Sequence, residues 1–173
     1  VFLVALIVVG AGCATTADPV HRGRFIAVSD APVAVSCEGQ EPKTLAVVVG
    51  VNHYKDERIS DLEGAAGDAW AFYHLLASPN GGAVPEPHLR LLLNEEATRE
   101  AVVGALGNHF AGACPQDRLI VYFAGHGETD PLKPEDAFLL VHDTSTDNMV
   151  ATGVSMKRLY ELLRERTSAE NLV

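Results

Sequence analysis

The 173-residue chain is poor in basic residues, with 13 Lys and Arg against 23 Asp and Glu and a net charge of −10. Such a surface repels a phosphate backbone or an anionic membrane surface, so we set nucleic acid aside as a partner. No internal repeat or low-complexity tract is visible, and no apolar run reaches the roughly 20 residues of a membrane-spanning helix. With 47% hydrophobic and 21% charged residues, the composition indicates one globular domain with an N-terminal extension.

The N-terminal extension begins with an apolar run at residues 1–9, followed by Gly10, Ala11, Gly12 and Cys13. A short apolar run of this kind is typical of a signal peptide. Small residues directly before a cysteine resemble the lipobox of bacterial lipoproteins, so we predict a signal peptide over residues 1–13 with Cys13 as the lipidation site. The protein would then be exported to the periplasm or cell envelope with a lipid anchor to a membrane; an ordinary secretory signal is the alternative. Residues 14–43 are expected to be a tether, with a short hairpin over 25–28 and 33–35.

Cysteine is scarce, and apart from Cys13 the chain has only Cys37 and Cys114. Each precedes an apolar run that reads as a buried strand. If those strands are parallel neighbours, both cysteines lie at the same end of the sheet, where a disulfide needs Cα atoms within about 7 Å. Export would let such a bridge persist. A Cys37–Cys114 disulfide and two buried thiols are the two interpretations.

Hydrophobic periodicity predicts strands alternating with helices over residues 44–173. Near-continuous apolar runs such as 45–51 are typical of strands buried on both faces, as in a parallel sheet. Apolar residues at helical spacing alternate with them, which argues for an α/β domain. The predicted strands are 45–51, 88–93, 119–124 and 137–141, with a further strand opening at 171–173, and the predicted helices are 64–76, 97–110 and 155–166.

One histidine stands out, His126 between Gly125 and Gly127, just past the predicted strand 119–124. In open α/β sheets, ligands and catalytic groups collect at the carboxyl ends of the strands. Flanking glycines permit a sharp turn and a close approach of a substrate backbone, and an imidazole transfers protons near neutral pH. The alternative is a turn histidine that merely faces solvent.

Five segments in this order resemble the caspase and metacaspase clan, closest to bacterial metacaspase-like proteins. They are the strand at 45–51, Asn52-His53-Tyr54, the stretch from Asp61 to Ala69, Asn94 to Thr98, and Tyr122 to Gly127. The resemblance covers about the last three quarters of the chain. It implies a caspase-like three-layer α/β/α sandwich with a mainly parallel central sheet, here incomplete.

The resemblance also implies a reaction: hydrolysis of peptide bonds in peptide or protein substrates, with His126 as general base and acid and a cysteine nucleophile on the following strand. That cysteine is expected just beyond Val173, because Cys37 and Cys114 precede strands at the opposite end of the sheet from His126. The fragment alone would then be inactive. A catalytically inactive binding or scaffold module is the alternative function.

Three further residue roles follow from the resemblance. Asp68 matches the position whose carboxylate helps to form the pocket for Arg or Lys before the scissile bond, although an exposed acid in the first turn of a helix is the alternative. Ala124 stands where the family tends to have Ser, which removes one hydroxyl from that pocket. The backbone N–H of Gly127 is a candidate oxyanion donor.

No metal site and no cofactor are predicted from the spacing of the residues. Some metacaspases use calcium through acidic loops, and this chain has an acidic, loop-rich region after His126, with solvated surface acids as the alternative reading. Its members are Asp130, Glu135, Asp136, Asp143 and Asp147.

Overall fold

The computed structural model describes residues 2–10, 37–166 and 171–172. The strands are β1 Phe2–Gly10, β2 Thr44–Gly50, β3 Leu89–Leu93, β4 Arg118–Asp130, β5 Lys133–Leu139, β6 Val154–Ser155 and β7 Asn171–Leu172. The helices are α1 Ala65–Ala77, α2 Arg99–His109, α3 Met149–Thr152 and α4 Met156–Arg166. None of the helices in these ranges is long and apolar enough to cross a membrane.

Helices cover both faces of the sheet, as the near-continuous apolar run of β2 predicts. Successive residues of β2 point to opposite faces, so Ala46 and Val48 pack with α1 while Val47 and Val49 belong to the core under α2 and α4. At the end of β2, a Cβ on Gly50 would lie 2.5 Å from the Cβ of Ala69. Glycine there lets α1 approach the strand closely. The three-layer α/β arrangement of the sequence prediction is confirmed.

The sheet order is β3-β2-β4-β1-β7. Strand β2 lies between β3 and β4 and is parallel to both. The sheet also takes in antiparallel strands, since β1 pairs with β4 and β7 pairs with β1. A hairpin of β4 and β5, extended by β6, leaves this sheet beyond the end of β2.

The N-terminal segment predicted as a signal peptide contributes β1, which runs alongside β4 from Phe2, opposite His126, to Val9, opposite Leu119. Cleavage of this segment stays a prediction. Cys13 and the hairpin expected at 25–28 and 33–35 lie outside the described residues. The strand expected to open at 171 is present as β7.

Cys37 and Cys114 form a disulfide with Cα atoms 5.6 Å apart. The parallel pairing of β2 with β4 brings together the segments that precede the two strands. Asp117 fixes the same corner, because its carboxylate accepts hydrogen bonds from Lys43 N and Cys114 N, both at 2.8 Å. The corner lies at the end of the sheet opposite His126, so neither cysteine is placed to act with that histidine.

Candidate active site

His126 lies within a strand rather than in the turn that its flanking glycines predicted. Strand β4 continues to Asp130, because the residues from Gly127 onward pair with β5 and keep the backbone extended. Both backbone polar groups of His126 are bonded: its N–H donates to Tyr54 Oη at 2.9 Å and its carbonyl accepts from Leu140 N at 2.9 Å. The turn that the flanking glycines would permit is absent, and the strand expected to end at residue 124 continues past His126. His126 lies beyond Ala124, the last residue of β4 in the ladder with β2.

The side chain of His126 is oriented by a main-chain oxygen. Its Nε2 lies 2.8 Å from the carbonyl oxygen of Ser60. A carbonyl oxygen can only accept, so Nε2 carries the proton of this hydrogen bond. In the neutral imidazole the lone pair then belongs to Nδ1. The contact thus selects the tautomer in which Nδ1 is the base.

Ser60 belongs to the loop of residues 51–63 between β2 and α1, and this loop is braced at its base by Asn52. The side-chain oxygen of Asn52 accepts from Ala66 N at 2.9 Å, and its backbone N–H donates to Asn94 Oδ1 at 2.9 Å. Asn94 adopts a positive φ of 48°, a conformation that asparagine tolerates better than most residues. The two asparagines tie the loop to α1 and to the end of β3.

Four residues, called here the Arg58 clamp, hold the outer part of the loop: Asp56, Arg58, Thr146 and Asp147. The guanidinium donates to both oxygens of Asp147, at 2.7 and 2.9 Å, and to both oxygens of Asp56, at 2.9 Å each. Thr146 donates to Asp56 through its N–H and its hydroxyl, both at 2.8 Å. Bonding to Arg58, and then to Thr146, keeps the pKa of Asp56 well below its usual range. The clamp thus joins the Ser60 loop to residues 146–147.

Tyr54 packs directly against the catalytic candidate. Its ring centre is 5.3 Å from that of His126, and its hydroxyl donates to Val51 O at 3.3 Å besides accepting from His126 N. Burial raises the pKa of Tyr54 to about 12, so the hydroxyl stays protonated near neutral pH. A Cβ on Gly125 would lie 3.1 Å from this oxygen and 2.9 Å from the Phe123 ring. Glycine at 125 is required by this close approach and not by a turn.

His53, beside Tyr54, forms an exposed pair with Asp61. Its Nδ1 lies 2.9 Å from Asp61 Oδ2. This hydrogen bond raises the pKa of His53 and lowers that of Asp61. The other oxygen of Asp61 accepts from Tyr54 N at 3.3 Å, so the pair adds a further brace to the loop that carries Ser60.

Gly127 directs its amide away from β5. Leu140 N donates to His126 O, and Gly127 is the residue opposite Leu139. This is the pattern of a pair that exchanges no hydrogen bonds with each other across an antiparallel ladder. The N–H of Gly127 therefore takes no part in the ladder with β5.

Asp68 lies in the first turn of α1 and is exposed. Burial, and then the charge of Asp68, raises the pKa of Tyr122 on β4. A cavity of about 520 Å³ is lined by His126 and Gly127 but not by Asp68, so the structure brings the first two predicted site residues together there without the third. Its role in substrate binding stays a prediction.

Three of the five acidic residues after His126 accept hydrogen bonds from the protein itself. Asp147 belongs to the Arg58 clamp, Asp143 accepts from Arg99 N at 2.7 Å at the start of α2, and Asp130 accepts from Leu132 N at 2.8 Å. Within the described ranges, no group of three or more His, Cys, Asp or Glu side chains is placed to hold a metal ion. Calcium binding by this region stays a prediction.

Sequence reasoning missed Ser60, the Arg58 clamp and the hydroxyl of Tyr54. Ser60 acts through its carbonyl, which every residue type possesses, so no sequence signal was available. The clamp joins residues 89 positions apart along the chain. Tyr54 was noticed only as part of the family resemblance, and an aromatic hydroxyl soon after a buried strand was the available signal.

Two comparisons bear on these observations. The family model described as the caspase domain matches residues 43–168. A curated protein of a Desulfuromonadales bacterium, named as a probable protease, is 27% identical over 130 residues, which covers 67% of this chain. The matched region is 16% of the length of that relative.

Proposed function

Because the chain belongs to the caspase-domain family of peptidases, we propose that the complete protein is a cysteine endopeptidase in which His126 transfers the protons. The observation that carries the proposal is the hydrogen bond between His126 Nε2 and Ser60 O. It supports an imidazole that is fixed in orientation and whose base nitrogen is Nδ1. Peptide and protein substrates follow from the peptidase family.

The reaction needs a thiol, which we expect from a cysteine just beyond Val173 in the complete protein. His126 Nδ1 takes the thiol proton, and the thiolate sulfur attacks the carbonyl carbon of the substrate. The imidazolium then gives its proton to the leaving amine as the C–N bond breaks, and water hydrolyses the remaining thioester. Throughout, the Ser60 carbonyl accepts from Nε2–H, which holds the ring in place.

The amide of Gly127 is proposed as an oxyanion donor. It takes no part in the β5 ladder, and it is adjacent along the chain to His126. Backbone N–H groups that are fixed before the reaction stabilise the negative charge that develops on the carbonyl oxygen. Gly127 carries no side chain that would hinder a substrate at this amide, and the edge of β4 that the amide faces pairs with β1 as far as His126 and Phe2.

Specificity for Arg or Lys before the scissile bond is proposed from the family resemblance of Asp68. The exposed carboxylate at the start of α1 offers the bidentate acceptor that a guanidinium fork prefers. Asp68→Asn keeps the shape and removes the charge. We expect this change to lower kcat/KM for Arg peptides more than for Gln peptides.

Export to the periplasm or cell envelope, with lipidation at Cys13, is a separate proposal. The Cys37–Cys114 disulfide supports it, because structural disulfides persist mainly outside the reducing cytosol. Mass spectrometry of the mature N-terminus is the test. A lipid-modified Cys13 as the first residue supports the lipoprotein, and retention of residues 2–10 contradicts cleavage and fits their place as β1.

The experiment that tests the peptidase uses the complete protein and a panel of internally quenched peptides with Arg, Lys or Gln at one position. Mass spectrometry locates each cut, and iodoacetamide is added in a parallel reaction. Cleavage after Arg or Lys that iodoacetamide abolishes is the expected result. Cleavage that survives alkylation contradicts the cysteine mechanism, and absence of cleavage in the whole panel favours the inactive scaffold.

A further inference from the structure

A cavity of about 520 Å³ opens beside His126 and Gly127. Its size falls in the range of small-ligand sites, roughly 300–1,000 Å³. The walls come from the Ser60 loop, from the hairpin between β4 and β5, and from residues 144–150. The cavity therefore begins at the catalytic candidate and extends away from it under the Arg58 clamp.

Much of the cavity is apolar, which proton transfer by His126 does not require. Ile59 and Leu140 are buried, with 8% and 7% exposure. Leu132 and Val150 lie on the same cavity and remain 91% and 61% exposed. A cluster of large, solvent-exposed apolar side chains beside a reactive group indicates a surface that binds an apolar part of a ligand. The apolar members are Ile59, Pro131, Leu132, Leu140, Met149 and Val150.

The charged lining of the cavity is mainly negative. Glu128, Asp130 and Asp147 line it, and Arg58 is its basic residue. The guanidinium of Arg58 already bonds to Asp147 and Asp56, so its charge is offset. An acidic side chain would enter against this field, and the apolar walls offer such a group no hydrogen bonds. The lining selects against acidic residues and favours aliphatic ones.

The position of the cavity relative to His126 indicates which part of a peptide substrate would bind in it. The imidazole must face the leaving amine to protonate it, so the residue that follows the scissile bond lies nearest to His126. Asp68, proposed to bind the residue before the bond, does not line this cavity. The two halves of a peptide thus have different surfaces available to them.

We propose that this cavity binds an aliphatic side chain of the peptide substrate on the leaving-group side of the scissile bond. The proposal rests on the proposed peptidase function and adds a substrate class to it. The surface that selects this side chain is formed by Leu132 and Val150 at the mouth and by Ile59 and Leu140 at the base.

The test uses the complete protein and quenched peptides with Arg before the scissile bond and Leu, Met, Ser or Asp after it. Hydrophobic pockets discriminate by roughly tenfold or more for each methylene group they bind, so kcat/KM for the Leu peptide should exceed that for Ser by at least about tenfold. The Asp peptide should be the poorest. Equal kcat/KM for Leu, Ser and Asp overturns the proposal.

Variants assign the preference to the cavity. Leu132→Ser and Val150→Ser change exposed side chains, so the fold should be unaffected, and each should shrink the ratio of Leu to Ser cleavage several-fold. Leu75→Ser is the matched control, because Leu75 is 49% exposed on α1 and does not line the cavity. If the ratio of kcat/KM for the Leu peptide to that for the Ser peptide is unchanged in both Leu132→Ser and Leu75→Ser, the preference does not come from this cavity.

A binding measurement separates failure of this inference from failure of the peptidase. Methyl NMR of the complete His126→Ala protein, titrated with the Leu and Ser peptides, detects occupancy without turnover. Shifts at the Leu132, Val150 and Met149 methyls with the Leu peptide alone support the cavity even if no peptide is hydrolysed by the wild type. Absence of these shifts overturns the cavity proposal, whether or not the wild type hydrolyses peptides.

Discussion

The hydroxyl of Tyr54 links the loop after β2 to the strand that carries His126, and Tyr54→Phe removes this link alone. Tyr54 is 8% exposed, and its oxygen accepts from His126 N at 2.9 Å and donates to Val51 O at 3.3 Å. Phenylalanine fills the same space but leaves the His126 N–H without this acceptor. An unsatisfied buried donor costs about 1–3 kcal/mol, so the free energy of unfolding should fall by about that amount.

Urea unfolding measures the change, with Tyr160→Phe as the control. Tyr160 is 39% exposed, and a surface change of this kind should stay within about 0.5 kcal/mol. Turnover of the complete Tyr54→Phe enzyme should also fall, because a displacement of about 1 Å at a catalytic group costs up to about 100-fold. If Tyr54→Phe and Tyr160→Phe are equal in both stability and turnover, the hydroxyl does not position His126.

The pH dependence of stability provides a second readout of the same residue. Burial raises the pKa of Tyr54 to about 12, whereas a tyrosine in the unfolded chain titrates near about 10. The stabilising contribution is therefore fully present below about pH 10 and is lost as the pH rises through 12, because the unfolded chain releases the proton first. The wild type should lose up to about 2–3 kcal/mol more than Tyr54→Phe over this interval.

Two further substitutions test the packing around the site and the disulfide. Gly125→Ala would place a Cβ 2.9 Å from the Phe123 ring and should lower the free energy of unfolding by about 1–3 kcal/mol through overpacking. The control is Gly67→Ala in helix α1, where a Cβ meets nothing within 4 Å and the change should be neutral or stabilising by up to about 1 kcal/mol. Equal urea midpoints for the two variants would contradict the close approach at Gly125. Replacing Cys37 and Cys114 together by Ala should lower stability by about 2–4 kcal/mol, and alkylation of either thiol in the unreduced protein would show that the bridge is absent.

The alternation of apolar runs and helical patterns predicted the layered fold because burial on both faces of β2 leaves a near-continuous apolar sequence. It also placed Cys37 and Cys114 at one end of parallel neighbours, where the structure has the disulfide. The sequence pattern misled where the local conformation depends on pairing with a strand elsewhere in the chain. Gly125 and Gly127 suggested a turn, yet pairing with β5 keeps the backbone of β4 extended.

Within the candidate site, sequence identified the imidazole but not what holds it. His126 was recognisable from its glycine neighbours and its family resemblance. Ser60 contributes a carbonyl oxygen, and a main-chain group leaves no trace in residue identity. Arg58 and Asp147 pair across 89 positions, and nothing in their local sequence distinguishes them from solvated surface charges.

The most direct test of the central claim compares His126→Ala with His74→Ala in the complete protein, using kcat/KM on an Arg peptide. His74 is an exposed histidine in the last turn of α1, so its removal controls for the loss of an imidazole. Proton transfer by a positioned side chain contributes about 100- to 10,000-fold to the rate. His126→Ala should therefore lower kcat/KM by at least about 100-fold and leave the circular dichroism spectrum unchanged. Equal activity of the two variants would contradict His126 as the group that transfers the protons.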